Sequence, residues 1–118
     1  VKGNVNDVFY YYREQAALKS RQYQRALNAM ESAISLNPKD LTYRAELAVI
    51  NIRVGRNEEA VKVLKEALDI DGSYAEAYRL MGIAQLQMKQ KDAACVSFAK
   101  AKELGDPNVD ALIEKHCK

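Results

Sequence analysis

Apolar residues recur at helical spacing along most of the chain, and the helical runs come in pairs. Leu41 to Val54 and Asn57 to Ile70 both carry apolar residues three and four positions apart, the interval that puts side chains on one face of an α-helix. Gly55-Arg56 separates the two runs, and glycine suits the left-handed residue after a helix. Asp71-Gly72 closes the pair, and matching breaks stand near Ser20-Arg21, Asn37-Pro38, Lys89-Gln90 and Gly105-Asp106. Pro38 cannot continue a helix interior, and it pushes the residue before it toward extended geometry. The pattern predicts helical hairpins and no strands.

The hairpins repeat. Shifted by 34 residues, Ala26, Ala60 and Ala94 superpose, as do Ala33, Ala67 and Ala101. Large apolar residues keep the same register: Met30, Leu64 and Phe98; Leu27, Val61 and Cys95; Leu36, Ile70 and Leu104. Three units result, 7–40, 41–74 and 75–108, within one domain spanning 1–118. Alanine at the repeated positions has a physical reason, because helices cross closely only where a small side chain lets them. A single hairpin cannot bury its own apolar face, so the units must stack. Residues 106–117 read as a terminal capping helix, with Asp106 as cap, Pro107 at the first helical position, and Val109, Leu112, Ile113 and His116 forming a stripe over the last unit. "VKGN" at the start reads as the tail of a preceding unit, and a chain that begins at Val1 reads as a piece of a longer protein.

"LAVINIRVGRNEEAVKVLKEALDID" at 47–71 and "YRLMGIAQLQMKQKDAACVSFAKAKEL" at 78–104 resemble the tetratricopeptide repeat, a helix–turn–helix unit with Leu-Gly or Leu-Ala in its first helix and spaced alanines in its second. The first unit departs from it, with Arg13-Glu14 where Leu47-Ala48 and Met81-Gly82 stand in the others. The resemblance implies an all-α, right-handed superhelix, an α-solenoid of three units plus the capping helix. It also implies that the outward side of each first helix lines a concave groove where a partner protein or peptide binds.

That implication bears on four consecutive aromatics, Phe9, Tyr10, Tyr11 and Tyr12, which a helix cannot place on one buried face. On a helical wheel Tyr10 falls on the side packed against the partner helix, with Leu47, Asn51, Tyr78 and Met81 at the corresponding places. Tyr11, Gln15, Ala45, Val49, Arg79 and Ile83 fall opposite. The expected groove carries Tyr11, Tyr12, Gln15, Lys19, Glu46, Val49, Arg53, Arg79, Leu80, Ile83 and Gln87. Aromatic, aliphatic and arginine side chains together suit protein recognition. Tyr11 and Tyr12 have a second reading, as an end surface that covers or meets another copy or unit. One subclass of the family grips acidic C-terminal tails with Lys and Asn at fixed groove positions. Here those positions hold Tyr11, Gln15, Glu46, Glu76 and Leu80, and the two acids predict repulsion of a carboxylate.

Composition narrows the alternatives. With 5 Gly and 2 Pro in 118 residues, the chain lacks the turn formers an all-β fold needs. Net charge is +2, and each unit lies within one charge of neutral, which argues against nucleic acid as partner. No apolar run reaches the length of a membrane span. Cys95 and Cys117, 22 residues apart and in no Cys-x-x-Cys motif, are expected to be free thiols with Cys95 a small core residue. His116, the single histidine, reads as a polar residue near a chain end. No phosphate loop, nucleophile–base set or metal-ligand spacing is present, so no enzyme, cofactor or metal is expected. The convex charges Glu58, Glu59, Lys62, Lys65, Glu66 and Asp69 read as a solvated face. The sequence therefore predicts an interaction scaffold or adaptor, with self-association through the first unit, or a regulatory role within a larger protein, as alternatives.

Overall fold

The computed structural model describes residues 20–118, which form α1 (Ser20–Leu36), α2 (Leu41–Arg53), α3 (Asn57–Ile70), α4 (Ala75–Gln87), α5 (Lys91–Glu103) and α6 (Asp110–His116). Among the described residues there is no strand, and successive helices pack on their neighbours, so the helical hairpins expected from the pattern form and stack as the resemblance implies. The expected first helix of the first unit, with Phe9 to Tyr12, Gln15 and Lys19, falls outside the described residues.

The helices divide by how many faces they bury. In α1 the buried residues Tyr23, Ala26, Met30 and Ala33 form one stripe, and in α3 Ala60, Leu64 and Ala67 form another. α2 buries Ala45, Leu47, Ala48, Ile50, Asn51 and Ile52, and α4 buries Ala77, Leu80, Met81, Gly82 and Ala84. Such broad burial comes from position. α2 packs against α1, α3 and α4, whereas α3 shows its charged side to water. Glu58, Glu59, Lys62, Lys65, Glu66 and Asp69 are all exposed.

The repeated alanines are the contact seam. Ala26, Ala60, Ala67, Ala94 and Ala101 are fully buried and Ala33 nearly so, and the registered Met30, Leu64 and Phe98 beside them are also fully buried. Backbone and ring approach closely at Gly82, in register with Ala48: a Cβ there would stand 2.4 Å from Cε1 of Phe98. The third registered set behaves differently. Leu36 and Ile70, each the last residue of its helix, are 80% and 41% exposed because they lie past the final packed turn.

Turns repeat with the helices. Arg56 N–H donates to Asn51 O (2.8 Å), Gln90 N–H to Gln85 O (2.9 Å) and Asp106 N–H to Ala101 O (3.0 Å), one bond spanning each helix end. The left-handed residue these closures need is Gly55 (φ 86°) and Gly105 (φ 94°), but Lys89 (φ 63°) in the third unit.

Two expectations at the C-terminal end need correction. The capping helix starts at Asp110, not Pro107; residues 107–109 form a turn, in which Asp106 Oδ1 accepts from Asn108 N–H (2.7 Å). Asp106 caps no helix because the helix begins four residues later, and its other oxygen accepts from Arg79. The cysteines are not free thiols. Cys95 and Cys117 are joined in a disulfide with Cα atoms 5.7 Å apart, within the usual range for such a bridge. α6 folds back along α5, burying Val109 and packing Leu112, Ile113 and Cys117 on the Phe98 cluster. That return brings positions 22 residues apart in sequence to bonding distance.

Candidate functional site

α2 and α4, the first helices of consecutive hairpins, run side by side. Along their inner side lies an open depression of about 280 Å³ lined by Val49, Ile52, Arg53, Leu80, Ile83 and Gln87. Helical spacing explains the set: Val49, Ile52 and Arg53 are three and four apart, as are Leu80, Ile83 and Gln87. Five of the six are residues that the wheel assigns to the groove. The sixth, Ile52, falls on a flank of the wheel; its spacing from Val49 is the signal that includes it. Leu80, expected at the surface, is only 6% exposed and belongs with Ala45, Ala77 and Ala84 to the central core cluster, so it forms the floor. Ala45, outward on the wheel, is likewise buried, because α4 covers that edge.

Acidic groups gather where α2 and α4 begin. Asp40 caps α2 by accepting from Thr42 N–H (3.0 Å), Glu76 stands in the first turn of α4, and Glu46 lies between them on α2. The Tyr74 hydroxyl donates to Glu76 Oε1 (3.0 Å), and burial, reinforced by the Glu76 charge, pushes the phenol well above its usual range. Glu46 Oε1 is buried and has no hydrogen-bond partner among the described residues. Desolvation first, then the negative charges of Asp40 and Glu76, raise the Glu46 carboxyl above its ordinary value of 4.5.

A raised carboxyl pKa means that ionised Glu46 is disfavoured by the fold, so its penalty is absent below 4.5 and grows as pH rises through the folded-state value. Glu46→Gln should therefore raise the melting temperature at pH 7, and the gain should vanish in melts run below the ordinary carboxyl range. A variant that melts lower than the wild type at pH 7 would contradict this.

Arg79, also expected in the groove, is turned to a structural task. Its Nε donates to Asp106 Oδ2 (2.7 Å) and its Nη2 lies 3.6 Å from Glu76 Oε2. The Asp106 side chain is 3% exposed, so this pair ties α4 to the connection before α6. Elsewhere the packed side of α2 is closed by a polar contact, the Tyr23 hydroxyl donating to buried Asn51 Oδ1 (2.6 Å). The Arg56 guanidinium stands 5.8 Å from the centre of the same ring. Among the described residues no group of three or more His, Cys, Asp or Glu is arranged to hold a metal ion, and no helix is long and apolar enough to cross a membrane.

A family model described as "Tetratricopeptide repeat" matches residues 15–75. Among curated proteins, DnaJ homolog subfamily C member 7 of Homo sapiens is 30% identical over 105 residues, covering 87% of this chain and 21% of that protein. The TPR repeat-containing thioredoxin TTL4 of Arabidopsis thaliana is 34% identical over 100 residues, covering 81% and 14%. The chain thus spans about a fifth or less of these relatives. Among solved structures, the first TPR domain of human RPAP3 superposes with a TM-score of 0.77 at 16% identity, covering 97% of this chain and 90% of that one. The second TPR domain of the same protein, in complex with the HSP70 peptide SGPTIEEVD, gives 0.75 at 22% identity, covering 98% and 93%.

Proposed function

Because the chain belongs to the tetratricopeptide-repeat family, we propose that it is a protein-interaction module, without catalysis of its own, that holds a peptide or helix of a partner along the groove between α2 and α4. The observation that carries this reading is the depression itself, in which aliphatic side chains stand beside exposed Arg53 and Gln87. Backbone groups within helices are already paired, so the partner must be recognised by side chains rather than by strand addition. Tyr11, Tyr12, Gln15 and Lys19, assigned to the same surface from the sequence, lie outside the described residues. The likeness to a domain that holds SGPTIEEVD supports the mode of binding, but not that ligand. Glu46, Glu76 and Leu80 stand where the tail-gripping subclass carries Lys and Asn, so acidic tails fall outside the proposed range.

Peptides selected from a random display library on the immobilised protein test this. Arg53→Ala combined with Gln87→Ala should weaken the selected peptides about tenfold or more, while Lys62→Ala on the convex face should not, with all variants melting alike. Selected peptides that ignore the groove pair, or a nonapeptide SGPTIEEVD that binds measurably at physiological salt, would refute the corresponding half of the reading.

A further inference from the structure

The groove has an electrostatic direction, and, resting on the proposed binding role, we propose that its occupant is a segment with a basic side chain at the end where α2 and α4 begin and apolar side chains after it. At that end Glu46 and Glu76 stand one turn before Val49 and Leu80 on the same helix faces, the charges of Asp40 and Glu76 both bear on Glu46, and Arg79, 3.6 Å from Glu76, is held by Asp106. Glu46 Oε1 is thus a buried acceptor with no donor of its own among the described residues. A buried oxygen left without a hydrogen bond is costly, and a donor that draws the half-buried Glu46 side chain toward the groove recovers that cost. An ammonium or guanidinium does so best, because it also neutralises the mutual repulsion of the three carboxylates.

The rest of the groove selects the residues after the basic one. One turn along, Val49, Ile52, Leu80 and Ile83 offer an apolar wall, and Arg53 and Gln87 close the far end. Glu46 and Arg53 are seven residues apart on α2, about 10 Å along a helix axis, a length an extended segment covers in about three residues. The fitting order is basic, apolar, apolar, then acidic or polar. A carboxylate at the first position would meet like charges, a several-fold loss in affinity even at a partly exposed site. A metal ion is not the complement of this end, because the acids are not arranged as a ligand set.

Two blocked heptapeptides test the proposal, Ser-Lys-Leu-Ile-Ser-Asp-Ser and the same peptide with Glu for Lys, each titrated to about 1 mM, where weak binding registers, while amide resonances are monitored by NMR. The Lys peptide should shift the amides of Val49, Ile52, Leu80 and Ile83 and bind at least about fivefold more tightly than the Glu peptide. Glu46→Gln combined with Glu76→Gln should erase the preference while keeping the shifts, and added salt should shrink it. Equal affinities, or preference for the Glu peptide, with shifts confined to the groove would overturn the charge assignment and leave the binding role of the groove standing. Shifts outside the groove, or none with either peptide, would overturn both.

Discussion

Phe98→Ala should cost about 3–5 kcal/mol, the usual penalty for emptying a buried aromatic site, and should lower the urea midpoint accordingly. The ring is fully buried, sits against the bare backbone of Gly82 on α4, and is enclosed by Ala94, Ala101 and Val109. Tyr78, Ile83, Leu86, Leu112 and Ile113 complete the surround. Gly82, Ala94 and Ala101 are too short to reach into the hole. The same geometry supplies a control. Gly82→Leu alone must displace the ring, whose Cε1 would stand 2.4 Å from the new Cβ, and should cost about 1–3 kcal/mol as overpacking. In the Phe98→Ala background the same leucine should instead fill the void and recover part of the loss. A cycle in which the two changes simply add would show that the ring and Gly82 do not share a contact. Ile83 packs on this cluster and on the central one, and it also walls the groove, so Phe98→Ala should loosen groove binding without touching the ligand.

What the sequence discloses here is governed by which constraints are local. The alanine seam is legible because close helix crossing limits residue size at fixed intervals, so Ala60 or Ala94 cannot vary in volume without moving a helix. Gly55 and Gly105 are legible as turns for the same reason, a demand on the backbone alone. Lys89 satisfies that demand without the residue that announces it, so only the register with Gly55 reveals it. Leu36 and Ile70 show the converse: they are periodic and apolar but exposed, because an apolar residue at a helix end is buried only if something continues to cover it.

The groove is half legible. Helical spacing groups Val49 with Arg53 and Leu80 with Ile83, but a wheel describes one helix at a time. It cannot say that α2 and α4 close on one another over Ala45 and Leu80, nor that Arg79 reaches past the groove to an aspartate 27 residues on. Glu46 is another long-range result. Its raised pKa comes from burial first, then from Asp40 at the start of its own helix and Glu76 on α4, and nothing in its adjacent residues distinguishes it from the solvated acids of α3. The part of the site most bound to function thus depends on how hairpins meet rather than on how each is formed.

The disulfide is the clearest case of this, and it carries the second large effect. Cys95 lies on α5 and Cys117 directly follows α6, 22 residues on. Closing a loop of that length removes unfolded-state entropy equivalent to about 3 kcal/mol. Cys95→Ser combined with Cys117→Ser, or the wild type under reductant, should lose about that much and melt lower. The loss should be uneven, because stacked hairpins interact only with their neighbours. In α6 the amides of Ile113 and Cys117 donate to Val109 O and Ile113 O, and these should lose hydrogen-exchange protection first, while amides in α2 and α3 keep theirs. The α2 side of the groove should be preserved, since Val49 and Arg53 stand two helices away from the bond. Thiol titration of protein made under oxidising conditions decides the premise: two reactive thiols would refute the bond, whereas none, with protection at Ile113 lost on reduction, would establish α6 as a cap that the disulfide holds in place.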